Sequence, residues 1–548
     1  MTFDPTAFRA DPGQSLREIE AALQAGDMAR AIDLAETCVA QGMEHPLLLN
    51  LIASRLEDQG RLQEAFARLA RALELAPGDV LVLNALGLNL EKQGRRVEAI
   101  RAFDAALSID PSLPQAHHNR AQALQMLGDF EGAQQAYGRA TALSGTYVDP
   151  LGGLATLAVR RGELEAARDW AGRALQLEPA HAVALVALAN AELLDGEVKA
   201  AESRLRGLLT NPGLAPIDRP AVQSLLGDAL DRQGRTREAF DAYRTSKAET
   251  ERLYAPQFGP AAGPTARDHA LEIGRCLRAA DPGPWAELDR SDRGDARQHV
   301  FLLGFPRSGT TLLEQVLAAH PDVVSLDERT AMIDSEVEFL SSEAGLDRLA
   351  RVQGEELKLF RDAYWGRIRK FGLDVHGKVF VDKFPLATLK LPLIAKLFPD
   401  ARILFALRDP RDVVLSCFRR SFGMNASMYQ FVTLDGTARF YDAVMQFAEV
   451  CRAKLPLRLQ EVRYEALVED FETTARNAAE FIDLEWNEAM RDFADAAHAR
   501  PIRTPSASQV RRGLYPDALQ QWRRYEDQLA EVLPILAPWI ERWGYPPT

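Results

Sequence analysis

Arg297-Gln-His-Val-Phe-Leu-Leu-Gly-Phe-Pro-Arg-Ser-Gly-Thr-Thr-Leu-Leu-Glu314 is the stretch on which the reading of this chain turns. His299 to Leu303 is a short, nearly all-apolar run, as a parallel strand buried on both faces requires. Gly304 to Gly309 then reads as a loop, and Thr310 to Ala319 as a helix ended by His320-Pro321. Strand, glycine-bounded loop and helix N-terminus together make an anion site, where backbone N–H groups converge and the helix dipole adds positive potential. The spacing from Gly304 to Gly309-Thr310-Thr311 is nearly that of the nucleotide loop GxxxxGK[ST], but Thr310 stands in the lysine position. The positive charge has moved into the loop as Arg307, so a hydrolase of ATP or GTP would lack its reach to the terminal phosphates. The loop is expected to hold a different phosphate ester.

Downstream of the loop, Val323 to Thr330 carries carboxylates one helix length on, and these can reach the same pocket if the sheet is parallel. Met332 to Phe371 reads as a charged helical cap. Three further strands follow: Lys378 to Lys383, Arg402 to Arg408, and Leu457 to Val462 before Arg463-Tyr464-Glu465. Helices fill the intervals, which predicts a three-layer α/β domain with a mostly parallel sheet. Each strand ends in a basic or aromatic residue, as the lining of an anionic nucleotide cleft would. The basic group Arg361, Arg367, Arg369 and Lys370 reads as a solvated face. His320 reads as a helix-end histidine, not a catalyst.

Upstream, glycines recur every 34 residues at Gly26, Gly60, Gly94, Gly128, Gly162 and Gly196, each followed five residues later by an alanine. A seventh copy, Gly234 with Ala239, comes after an insertion within Asn211 to Pro220. This period resembles tetratricopeptide repeats, antiparallel helix pairs stacked into a superhelix, and seven copies bury a continuous core. The predicted domains are a repeat array over 1–254, a Pro/Gly-rich connector over 255–295 and the α/β domain over 296–548. The resemblance implies that the array binds a protein or peptide. The alternative is a spacer or a module for homo-oligomer assembly.

Composition narrows the remaining classes. The chain has 548 residues, 47% hydrophobic and 26% charged, with a net charge of −13, which argues against a nucleic-acid binder. Its four cysteines lack metal-ligand spacing and read as buried thiols of a reducing compartment. No secretory leader and no membrane span is evident, so a cytoplasmic protein is expected. No second acidic strand end stands out as a metal ligand, and no metal requirement is expected.

Pro306-Arg307-Ser308-Gly309-Thr310-Thr311 resembles the 5′-phosphosulfate loop of sulfotransferases, which use 3′-phosphoadenosine 5′-phosphosulfate (PAPS). Arg408-Asp-Pro-Arg-Asp-Val-Val-Leu-Ser416, followed by Arg420, resembles their 3′-phosphate element. Over residues 299 to 522 the chain is similar to the tyrosylprotein sulfotransferase branch, through Leu326-Asp-Glu328, Asp382-Lys-Phe-Pro385, Arg463 to Val468 and Ser506 to Arg511. With the repeats in front, the whole resembles bacterial tetratricopeptide–sulfotransferase proteins. The resemblance implies that Arg307, Ser308, Gly309, Thr310 and Thr311 hold the 5′-phosphosulfate, and that Arg408, Ser416 and Arg420 hold the 3′-phosphate. It further implies that Tyr464 and the loop with Arg511 and Arg512 close over the nucleotide. Glu328 is then the general base, with Asp327 the alternative, and Lys383, assisted by Ser506, neutralises the leaving oxygen. The resemblance implies sulfuryl transfer from PAPS to a tyrosine of a protein recruited by the array; because the order Asp327-Glu328-Arg329-Thr330 departs from that branch's acidic pair and Thr-Arg, a sugar or lipid acceptor is the alternative. A non-catalytic scaffold with a nucleotide-binding domain is the competing class.

Overall fold

The computed structural model describes residues 12–289, 294–494 and 519–547. It divides into two compact units, one up to Glu197 and one from Val198 onward.

The first unit is built from antiparallel helix pairs, such as Pro46–Asp58 with Leu62–Leu75, and Pro114–Leu127 with Phe130–Leu143. The 34-residue register explains the turns: Gly60, Gly94, Gly128 and Gly162 adopt φ of 75°, 74°, 79° and 80°. This left-handed conformation is one a side chain with a Cβ adopts at a cost. The alanine five residues later lies in the core, with Ala65, Ala99, Ala133 and Ala167 fully buried between the helices. The array thus has the expected helical superhelix of repeated pairs.

The second unit begins within the repeat pattern. Helices Val198–Thr210, Arg219–Arg232 and Thr236–Phe258 belong to it, together with the α/β domain. The spatial division therefore comes earlier in the chain than the change of sequence pattern near Tyr254. The reason is contact chemistry: the last helix pair carries polar side chains that bond into the α/β domain. Asp231 accepts hydrogen bonds from Arg419 and from Tyr525.

The sheet has five strands, β1 (Gln298–Gly304), β2 (Val323–Asp327), β3 (Val379–Lys383), β4 (Arg402–Leu407) and β5 (Arg458–Arg463). Their order is β2-β3-β1-β4-β5 and every pairing is parallel. The edge strand β2 had no separate strand reading in the sequence, because its alternation is broken by Ser325 and an acidic end. Val300, Leu302, Val379, Val381, Leu404 and Val462 pack with Val316, Leu317 and Ile482 into one buried cluster. Each such aliphatic is worth about 1.5–3 kcal/mol buried rather than exposed. On β1, His299 Nε2 and the Tyr364 hydroxyl lie 2.9 Å apart, and that hydroxyl donates to Asp382 on β3 at 2.8 Å. Burial pushes His299 down to about 3 and Asp382 up to about 6.

Met332 to Phe371 is helical as read, over Ile333–Phe339, Glu343–Arg351 and Gly354–Lys370. Its basic group is not one solvated face, however. Arg361 is 1% exposed, and its guanidinium donates to the carbonyls of Leu397 and Asp289. Arg367 remains outside, bridging to Asp334. Cys38, Cys276, Cys417 and Cys451 are free and buried. No helix among the described residues is long and apolar enough to cross a membrane.

Candidate active site

In a parallel sheet every strand delivers its C-terminal residue to the same edge, and here that edge gathers charged and polar side chains. Strand register sets Asp327 level with Lys383, and Lys383 level with Leu302, just before the Gly304 loop. On the other side Gly304 pairs with Ala406, and Leu407 with Arg463. The loop and the residues after β2, β3, β4 and β5 therefore meet at one rim.

The loop fits only because its ends are glycine. A Cβ on Gly304 (φ 152°) would come within 2.6 Å of the Ala406 carbonyl oxygen. One on Gly309 (φ 97°) would come within 2.6 Å of the Tyr464 ring. Arg307 and Glu328 also take positive φ, 71° and 49°. For non-glycine residues this conformation costs of order 1–3 kcal/mol and persists where the surroundings impose it. The helix Thr310–Ala318 starts directly from Gly309, with no side chain capping its first turn. Thr310, Thr311 and Ser308 are buried in that turn.

Three guanidinium groups converge here. Arg307 Nε donates to Ser416 Oγ at 3.0 Å, and Arg408 Nη1 donates to the Arg307 carbonyl at 3.4 Å. The Arg408 guanidinium lies over the Tyr464 ring, 4.6 Å from its centroid. Desolvation, then the charges of Arg420 and Arg408, push the Arg307 guanidinium down to about 9. Like charges gathered this way favour an anion at the site. Arg408 also has Asp412 at 3.5 Å, and Arg420 has Asp228 at 3.1 Å.

A second group surrounds Lys383. Its Nζ, 0% exposed, donates to Asp327 Oδ1 and to Glu328 Oε1 at 3.0 Å, and is ion-paired with Glu314 Oε2 at 3.4 Å. The Glu328 side chain is 38% exposed and Asp327 16%. Burial opposes the Lys383 charge, yet Glu314, Glu328 and Asp327 outweigh it and raise its pKa above the ordinary lysine value. Burial pushes Glu314 up to about 7 against the pull of Lys383. Such a cluster can accept a proton at the exposed carboxylate while keeping an ammonium charge beside it.

Of the residues singled out from sequence, Arg307, Ser308, Gly309, Thr310, Thr311, Arg408, Ser416, Arg420 and Tyr464 gather around the loop. Glu328, Asp327 and Lys383 form the carboxylate–lysine group. Ser506, Arg511 and Arg512 lie outside the described residues. His320 Nδ1 accepts the Asp322 backbone N–H, a helix-end role as read. The sequence reading missed Glu314: its one signal is a carboxylate beside Gln315 in the mostly apolar run Leu312 to Ala318, every residue of which proves buried. Also unread was a cavity of about 540 Å³ in the first unit, lined among others by Glu91, His118, Gln125, Tyr137, Asp149 and Val183. Most of these come from the first helix of successive pairs.

Residues 299–488 match the model of the sulfotransferase family, and residues 50–114 and 102–135 match two tetratricopeptide repeat models. An uncharacterized protein of Aquifex aeolicus is 29% identical over 280 residues, 49% of this chain and 36% of that protein. A protein-tyrosine sulfotransferase of Drosophila melanogaster is 29% identical over 267 residues, 45% of this chain and 52% of that one. The chain thus spans only about a third to a half of the length of these relatives. A tetratricopeptide repeat protein of Parabacteroides merdae is similar in structure, with a TM-score of 0.36 and 17% identity, over 43% of this chain and 92% of that one.

Proposed function

We propose that this chain, which joins tetratricopeptide repeats to a domain of the sulfotransferase family, transfers a sulfuryl group from PAPS to the hydroxyl of a protein tyrosine. The observation that carries the donor reading is the convergence of Arg307, Arg408 and Arg420 around Ser416 beside a helix N-terminus. A nucleotide with phosphate groups at two separated positions balances that charge. Arg307, the loop and Thr310-Thr311 take the 5′-phosphosulfate, and Arg408, Ser416 and Arg420 take the 3′-phosphate. A guanidinium fork suits a phosphate through paired hydrogen bonds.

Glu328 is the base. It accepts the tyrosine O–H proton as the phenolic oxygen forms its bond to sulfur. The bond between sulfur and the bridging oxygen breaks, its electron pair stays with the 5′-phosphate, and 3′,5′-ADP leaves. Lys383 places its ammonium charge against that oxygen. Positioning and fixed charge supply the acceleration, as in phosphoryl transfer. The tyrosine acceptor rests on the similarity to protein-tyrosine sulfotransferases, and the repeat array, with its cavity, supports recruitment of a protein.

The test is calorimetric titration of the whole chain with 3′,5′-ADP, 5′-AMP and ATP, followed by turnover of PAPS on peptides, glycans and lipids. Preference for 3′,5′-ADP and transfer to tyrosine peptides is the expected result. Equal affinity for 3′,5′-ADP and 5′-AMP would refute the donor, and transfer only to glycans or lipids would refute the acceptor.

A further inference from the structure

We propose that the last helix pair of the repeat pattern, Arg219–Arg232 and Thr236–Phe258, is a positioning element of the donor site, with Asp228 and Lys247 the residues that hold Arg420 in place. The inference rests on the donor reading above and adds to it a contribution from outside the α/β domain.

The helix Pro410–Arg419 carries Ser416, and Arg420 follows it in extended conformation. The last carbonyls of a helix have no intrahelical donor and need partners from elsewhere. Here the partners come from the helix pair. Ser224 Oγ donates to the Arg419 carbonyl at 3.3 Å, and Lys247 Nζ donates to the Arg420 carbonyl at 2.7 Å. Lys247 is 7% exposed, an expensive place for an ammonium group unless it is bonded. The Phe240 and Phe418 rings pack 5.4 Å apart, and buried Asp231 accepts from Arg419 at 2.6 Å. The helix end is thus clamped at backbone and side chain alike.

The side chain of Arg420 is held by the same pair. Its Nη1 donates to Asp228 Oδ2 at 3.1 Å, while Asp228 Oδ1 accepts the Tyr243 hydroxyl at 2.7 Å. Tyr243 is itself seated against Gly227, where a Cβ would come within 2.4 Å of its ring. The chain of support runs from Gly227, through the Tyr243 ring, to the Asp228 carboxylate, to the arginine of the anion site. Arg420 held in this way still adds its charge to the field at Arg307. A guanidinium has five N–H donors, so one bond to Asp228 leaves the group able to orient a phosphate. Fixing it beforehand removes part of the ordering cost of binding.

Calorimetry on the whole chain tests this, with 3′,5′-ADP and 5′-AMP as probes, for the parent, Asp228→Asn and Lys247→Met. Each variant should weaken 3′,5′-ADP about 5–10-fold, the scale of one ordinary hydrogen bond, and leave 5′-AMP within about twofold. Tyr243→Phe removes only the hydroxyl that holds Asp228 and should lower the ratio of the two affinities in the same direction, by about two- to threefold. It serves should the other variants fail to fold. An unchanged ratio in folded variants overturns the assignment, as does tighter 3′,5′-ADP binding by Asp228→Asn, which would make Asp228 a competitor of the phosphate. A parent that binds both nucleotides equally overturns the donor reading and this inference with it. A parent that distinguishes them while the variants keep its ratio overturns this inference alone.

Discussion

Lys383 is ringed by three carboxylates, and the three are not equivalent. Glu328 is the most exposed of them and is the base in the proposed reaction. Glu328→Gln keeps the shape and removes the basicity. Turnover should fall roughly 10²–10⁴-fold with 3′,5′-ADP affinity retained. If steady-state assays show near-normal turnover for Glu328→Gln and a collapse for Asp327→Asn, Asp327 is the base. Glu314 is the buried member, pushed up to about 7 from 4.5. A carboxyl so raised binds its proton more tightly folded than unfolded. Its stabilising share is full below about pH 4.5 and is lost as pH rises toward 7. Glu314→Gln abolishes that dependence, so the variant should gain on the parent between pH 4.5 and 7, by on the order of 1–3 kcal/mol in urea titrations. Arg307 and Lys383 stood out in the sequence because one sits in a loop of fixed spacing and the other ends a strand, and Glu328 stood out through the resemblance carried by Leu326-Asp-Glu328. Glu314 was not, since a single glutamate in a helix shows no sign of burial until the sheet behind it is known.

At the scale of elements, the apolar runs of β1, β3 and β4 were readable because strands buried on both faces leave no alternation to confuse. The edge strand β2 lacks that signature, and its place beside β3 follows only from register. The Gly309 turn shows how one element constrains another. Its Cβ position is taken by the ring that follows β5. Gly309→Ala must shift either the loop or Tyr464. We expect 3′,5′-ADP binding to fall at least about tenfold, with a stability loss of about 1–3 kcal/mol by thermal unfolding. Normal affinity in that variant would mean that Tyr464 moves aside at no cost and takes no part in holding the nucleotide. Arg361 belongs to this scale as well: its guanidinium serves two carbonyls across helix and loop, a pairing that no pattern of charges along the helix reveals.

At the scale of the molecule, period and packing divide the chain differently. The repeat pattern, resuming after its insertion, runs on to Ala239, whereas the second compact unit begins at Val198. Periodicity reports how a helix pair is built. It does not report which neighbour the pair bonds to, and Asp228, Asp231 and Lys247 carry no mark in a repeat alignment. A fragment from Val198 onward should therefore keep the donor affinity of the whole chain. Losing the first unit removes the proposed docking surface, so KM for a protein acceptor should rise about tenfold or more while a short tyrosine peptide is little affected. Equal KM for the protein acceptor would leave the first unit as spacer or assembly module. The four free thiols also make each unit its own reporter. Cys38 alone lies in the first unit, and Cys276, Cys417 and Cys451 lie in the second, all shielded from solvent. A thiol-specific reagent in native buffer reacts with such thiols chiefly when the structure opens, so mass spectrometry of the labelled positions over time reads the breathing of the first unit and of the second separately, in an unmodified chain.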